Sequence, residues 1–151
     1  MSTGPDDRAV FVIEPNTVPP LSALRRWTGR VLPLLGADHL WAACLVVTEL
    51  ATNAHEHGAG PVTITASAAA VPCSALLEVH DEGAERPVTG EPGPGSPHGR
   101  GLVLVHGLSR AWGVRGTGLG KTVWARIDCG SGTIGPCQVR PEPIVMDPEP
   151  C

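Results

Sequence analysis

Apolar and polar positions alternate from Val62 to Ser67, where Val62, Ile64 and Ala66 are interleaved with Thr63, Thr65 and Ser67. A period of two turns one face of a strand towards a core and the other towards solvent. The segment therefore predicts a half-buried strand, and residues 75–80 predict its neighbour across a turn at 71–74. Upstream the period lengthens to that of a helix. Leu21, Leu24, Thr28, Val31 and Leu35 predict a helix over about 19–35, with Thr17 as its cap, Pro19 and Pro20 in its first turn, Pro33 weakening its last turn and Gly36 as its stop. Asp38 suits the N-cap of a second helix running to about His57, with Leu45, Thr48 and Thr52 beside Leu50 and Ala54 as its inner stripe and Gly58 as its close.

Residues 10–13 form a short apolar run that predicts an edge strand, stopped by Pro15. Residues 111–115 and 122–127 flank a glycine-rich stretch at 116–120 and predict a hairpin. Residues 101–107 fit strand or helix by pattern alone, and a short helix after a glycine-rich loop is the reading adopted. Residues 82–99 are rich in Pro and Gly and have no periodicity, so they are either disordered or a functional lid. One domain over 10–128 is expected, between a flexible N-terminus at 1–9 and a flexible Pro-rich tail at 129–151.

Length and charge narrow the functional classes. A chain of 151 residues suffices for one domain and one modest core. Its 15 acidic residues outnumber its 11 basic ones, and the basic residues form no runs, which argues against direct binding of nucleic acid or acidic lipid. The longest apolar stretch, residues 40–47, is far short of the roughly 20 needed to span a bilayer, and the N-terminus lacks the pattern of an export signal. Five cysteines without a C-x-x-C pair fit neither a disulfide framework nor a zinc ribbon, so reduced thiols in a cytoplasmic protein are expected.

Two motifs suggest chemistry and fail. Gly116 to Thr122 has the look of a phosphate-binding loop, but Arg115 stands where the first glycine is required and a strand follows instead of a helix. Gly99-Arg100-Gly101 lacks the third glycine of a dinucleotide fingerprint and follows a loop instead of a strand. His55 and His57, two residues apart, do not share a helical face. The informative segment is Glu49-Leu-Ala-Thr-Asn53-Ala-His-Glu-His-Gly58. Glu49 and Asn53 are one turn apart, so a carboxylate and a carboxamide oxygen share a face, and such oxygens suit Mg²⁺. Further along, a strand ends in Asp81-Glu82-Gly83, glycines 99 and 101 free the backbone near a helix start, and Lys121-Thr122 opens a strand with a hydroxyl.

At these residues the sequence resembles the GHKL ATPase superfamily, and within it the bacterial anti-sigma factor serine/threonine kinases and their stand-alone relatives. ELATNAHEHG resembles the family's N box, HDEG its first glycine box and HGRGLVLV its second, while SRAWGVRGTGLGKTVWARI resembles its C-terminal hairpin. The resemblance covers about residues 10–128. It implies a Bergerat-type ATP-binding fold, an α/β (α+β) sandwich with a mixed β-sheet and helices packed on one face. It implies Glu49 as catalytic general base, Asn53 as the Mg²⁺ ligand, Asp81 on the adenine amino group with Gly83 allowing close approach, and Thr122 near the adenine. Gly99, Arg100, Gly101 and Leu102 would hold the phosphates.

The cofactors implied are ATP and Mg²⁺, and the partners are a sigma factor and an anti-sigma factor antagonist whose hydroxyl is phosphorylated. A homodimer is common in the family. The alternative is a non-catalytic pseudo-kinase, a binding module in transcriptional regulation that uses the nucleotide pocket, filled or empty, to set its shape. Glu85 in place of the second glycine of the first box favours that alternative, whereas Glu49 and Asn53 together favour the enzyme. His55-Glu56 adds a carboxylate beside the metal site. A detached half of a histidine kinase is disfavoured because no dimerisation helices with a phosphoacceptor histidine precede the domain and His39 lies at the wrong place. Leu24, Trp27 and Arg30 on the first helix are candidate partner contacts, with Trp27 equally suited to the core.

Overall fold

The computed structural model describes residues 8–33, 35–68, 74–83, 97–117 and 120–128, with the side chains of 97–101 and 117 excepted. Among these described residues five strands and three helices follow the order β1 (Ala9–Ile13), α1 (Leu21–Val31), α2 (Ala37–His57), β2 (Val62–Ala68), β3 (Ala75–Asp81), α3 (Pro97–Leu108), β4 (Ala111–Thr117) and β5 (Gly120–Ile127). The strands form one sheet in the order β1-β2-β3-β5-β4. Every neighbouring pair is antiparallel, so the mixed sheet expected from sequence is replaced by an antiparallel one. The physical reason is the place of β5. The chain crosses from β3 through α3 to β4, which runs parallel to β3, but β5 turns back between them and separates the two.

Alternation gives the sheet its two faces. Ile13, Val62, Ile64, Ala66, Leu77, Val79, Val123, Ala125 and Ile127 point to the helical layer and form the core with Leu24, Trp27, Val46, Val47, Leu50 and Val105. The opposite face carries Val10 and Val12, both largely exposed, and a charged cluster at its centre. There Glu78 is paired with Arg8 at 2.8 Å and with Arg115, and its carboxylate also accepts from Thr65 Oγ1 at 3.2 Å. Strand β1 begins at Ala9, and Arg8 just before it reaches across to Glu78.

Helix boundaries differ from the expected ones at their caps. Helix α1 starts at Leu21 with Pro20 at its N-cap and no side-chain cap, while Thr17 donates instead to Glu14 O at 2.8 Å. It ends at Val31, before Pro33, because a proline disfavours helical geometry in the residue ahead of it. Gly36 is the N-cap of α2, which puts Asp38 inside the first turn, where its charge suits the helix dipole. The inner stripe of α2 runs through His39, Ala42, Ala43, Val46, Val47, Leu50, Ala51 and Ala54, so Leu50 and Ala54 lie as expected and Leu45, Thr48 and Thr52 flank it. Small residues dominate this stripe, which lets α2 lie close over β2, β3 and β5.

Leu24 and Trp27 are buried, with the Trp27 ring 5.5 Å from that of Phe11, so they serve the core and not a partner surface; Arg30 alone of that trio is exposed. Cys44 is buried on α2 with its Sγ 3.9 Å from Arg25 O, and the other four cysteines lie outside the described residues. Of the turn expected at 71–74 and the lid expected at 82–99, residues 71–73 and 84–96, with Glu85, lie outside the described residues, as does the tail at 129–151, while residues 97–99 already belong to α3. No helix among the described residues is long and apolar enough to cross a membrane.

Candidate functional site

The C-terminal end of α2 meets the end of β3 at Gly58, Asp81 and Gly83. Asp81 is the last residue of β3 and, by alternation with the core residues Leu77 and Val79, points to the helical side, with 1% of its surface exposed. Two segments clasp it. Ala59 N–H donates to Asp81 Oδ1 at 3.4 Å, Gly83 N–H donates to the same oxygen at 2.7 Å, and Glu82 N–H donates to Ala59 O at 2.8 Å. These bonds fix the carboxylate as an acceptor at the rim of the sheet.

Glycines make room for this clasp. Gly58 caps α2 by donating to Ala54 O at 2.8 Å, but its φ of −91° is open to any residue. Space is what requires a glycine there. A Cβ on Gly58 would lie 2.4 Å from Asp81 Cγ and 2.5 Å from Ala54 O, and one on Gly83 would lie 3.0 Å from Asp81 Oδ1. Gly58→Ala should therefore destabilise the domain by about 1–3 kcal/mol, as overpacking does elsewhere, and displace the Asp81 carboxylate. Urea denaturation of the variant beside the parent measures the first effect.

Glu49 and Asn53 occupy successive turns of α2, both half-buried, between the core stripe and solvent. Glu56, three residues beyond Asn53, is exposed, with its Oε1 3.6 Å from His57 Nε2. Among the described residues no group of three His, Cys, Asp or Glu side chains gathers to hold a metal. The donor set on α2 instead fits an ion that takes one or two protein oxygens and completes its shell with phosphates and water, which is how Mg²⁺ usually binds. Helix α3 opens at Pro97, a residue suited to a first helical turn, so Gly99 falls among the amides that lack carbonyl partners within the helix. Arg100 and Gly101 continue the same helix, and Leu102 is buried at 6% exposure without joining the central core cluster.

The structure does not bring Thr122 to Asp81. Thr122 pairs with His80 across β3 and β5, on the open face of the sheet, and its Oγ1 lies 3.0 Å from His80 Nδ1. The residue opposite Asp81 in the register is Lys121, whose Nζ is 3.0 Å from Asp81 Oδ1. Sequence reasoning missed this lysine. The signal was the parity of β5: Val123, Ala125 and Ile127 mark the inner face, and Lys121 shares it.

A family model described as "Histidine kinase-like ATPase domain" matches residues 15–127. No curated protein matches the chain. A solved structure, the histidine kinase domain of a blue-light activated histidine kinase from Erythrobacter litoralis EL346, is similar with a TM-score of 0.47 and 20% identity, over 77% of this chain and 64% of that one. The chain thus spans less than two thirds of that domain's length.

Proposed function

This chain belongs to the histidine kinase-like ATPase domain family, and we propose that it binds ATP with Mg²⁺ and acts as a regulatory protein serine/threonine kinase of the anti-sigma factor type. The observation that carries the reading is α2, which bears Glu49 and Asn53 one turn apart and ends on Gly58 against the clasped Asp81. In this reading Asp81 accepts a hydrogen bond from the adenine amino group, and Gly83 keeps the approach to it clear. Gly99, Arg100, Gly101 and Leu102 hold the phosphate end. Glu49 takes the proton from a partner's serine or threonine hydroxyl as that oxygen bonds to the terminal phosphorus and ADP departs with the bridging oxygen. Asn53 would hold Mg²⁺, which when bound would supply positive charge to the transferred group.

The partners proposed are an anti-sigma factor antagonist, which carries the phosphorylated hydroxyl, and a sigma factor that competes with it for the same protein. The acidic balance of the chain supports protein partners over nucleic acid. Calorimetric titration with ATP, run with Mg²⁺ and again with the metal chelated, tests the reading. Binding that weakens on chelation is the expected result. Absence of binding in both conditions would sink the kinase reading and leave a module that works through its protein-binding surface.

A further inference from the structure

We infer that Lys121 is a second recognition group for the nucleobase, acting with Asp81 as a donor beside an acceptor, and that together they select a purine by its 6-amino group and its ring nitrogen N1. The inference rests on the nucleotide reading above. Lys121 is the only lysine of the chain, against ten arginines, and it is placed inside, with 8% of its side chain exposed beside the 1% of Asp81. Its position is fixed by backbone as well as by charge. Gly120, the residue before it, has φ +150°, and a Cβ there would fall 2.2 Å from Asp81 O, so the entry of β5 is pressed against the exit of β3. The direct register of Asp81 with Lys121 then sets the ammonium beside the carboxylate.

Stability does not account for such a pair, because apolar residues of similar volume usually serve a folded protein as well or better. The bonding capacity of the two groups points to a ligand. Ala59 N–H, Gly83 N–H and Lys121 Nζ all donate to Oδ1. A carboxylate offers about four acceptor sites over its two oxygens and an ammonium offers three donors, so the pair leaves both groups with capacity. An ammonium is compact and its donors rotate, whereas the planar fork of arginine would demand a wider space. The adenine edge offers a donating amino group next to an accepting N1, which is the complement of this pair.

The test uses the full chain and three ligands: ATP, its 1-deaza analogue, in which N1 is replaced by CH, and the analogue lacking the 6-amino group. Titrations are run on the parent protein and on Lys121→Met. The parent should bind 1-deaza-ATP about tenfold or more weakly than ATP, as expected for loss of a hydrogen bond to a charged group. Lys121→Met should lose a similar factor for ATP and become indifferent to N1, while it stays sensitive to the 6-amino group through Asp81. This is the coupling that a double-mutant cycle isolates.

ATP affinity that rises or is unchanged in Lys121→Met overturns the proposal, as does full N1 sensitivity in that variant. A parent that binds none of the three ligands overturns the nucleotide reading itself. Selective ¹⁵N labelling of lysine gives one side-chain resonance in the unmodified protein, so the result does not depend on the variant folding. That resonance should move on addition of ATP and move less with 1-deaza-ATP at saturation; equal shifts reject the contact.

Discussion

Glu49→Ala should lower phosphotransfer by about two to four orders of magnitude, the usual contribution of a positioned general base, and leave ATP affinity within about threefold. The separation follows from where Glu49 stands. It lies on α2 a full turn before Asn53, and the clasp around Asp81 is built from residues 58–59, 81–83 and 121, none of which it touches among the hydrogen bonds described. Alanine also keeps the helix, since no residue favours it more. The measurement is ADP release under saturating ATP, paired with a titration of the same preparation. Unchanged turnover would remove Glu49 from the chemistry. Loss of turnover and binding together would show that Glu49 holds the ligand instead of activating a hydroxyl.

Asp81→Asn should cost more than any other single change, because Asp81 is the partner of Lys121 and, in the proposed reading, of the adenine amino group. Asparagine preserves shape and an acceptor oxygen for the amides of Ala59 and Gly83. It removes the charge, and the buried ammonium is left without its partner. Breaking one side of a buried ion pair typically costs about 3–5 kcal/mol. Urea denaturation should show a loss of that size for Asp81→Asn, and Asp81→Asn with Lys121→Met should recover most of it, since no stranded charge remains. The adenine analogue titrations then separate function from stability: Asp81→Asn at low denaturation should lose its preference for ligands with a 6-amino group. A variant as stable as the parent would mean that Lys121 finds another counter-charge.

Much of this architecture is legible in the order of residues. The period-two runs at β2 and β3, the long α2 and the β4–β5 hairpin all follow from local pattern, because each is set by neighbours along the chain. The boundaries that misled are those decided by groups far apart in sequence. Thr17 and Asp38 are good cap residues, yet Pro20 and Gly36 are the N-caps, because the turn geometry around the prolines and the packing of α2 fix where each helix begins. Gly58 was visible as a helix stop, but its purpose is room for Asp81, which lies 23 residues ahead.

The site was legible in its types and not in its faces. A one-residue difference along a strand reverses the side on which a side chain stands. Thr122, expected near the adenine, stands on the open face of the sheet beside His80, and it is Lys121 that shares the inner face with Asp81. The sheet order was hidden for a similar reason. Nothing local in β5 states that its partner is β3, since that pairing depends on a register between residues about forty apart.

The insertion of β5 between β3 and β4 also has a temporal consequence. A chain is synthesised from its N-terminus and a domain generally folds as a unit. Until β5 has been made, β3 lacks one of its two neighbours and β4 has no strand to join. Lys121 is the second residue of that last strand, so the carboxylate of Asp81 gains its counter-charge only when the final strand docks. A nascent chain can carry every residue of the α2 and β3 motifs and still lack the Asp81–Lys121 pair. Under the proposed reading, competence to hold a nucleotide thereby reports that the domain has been finished.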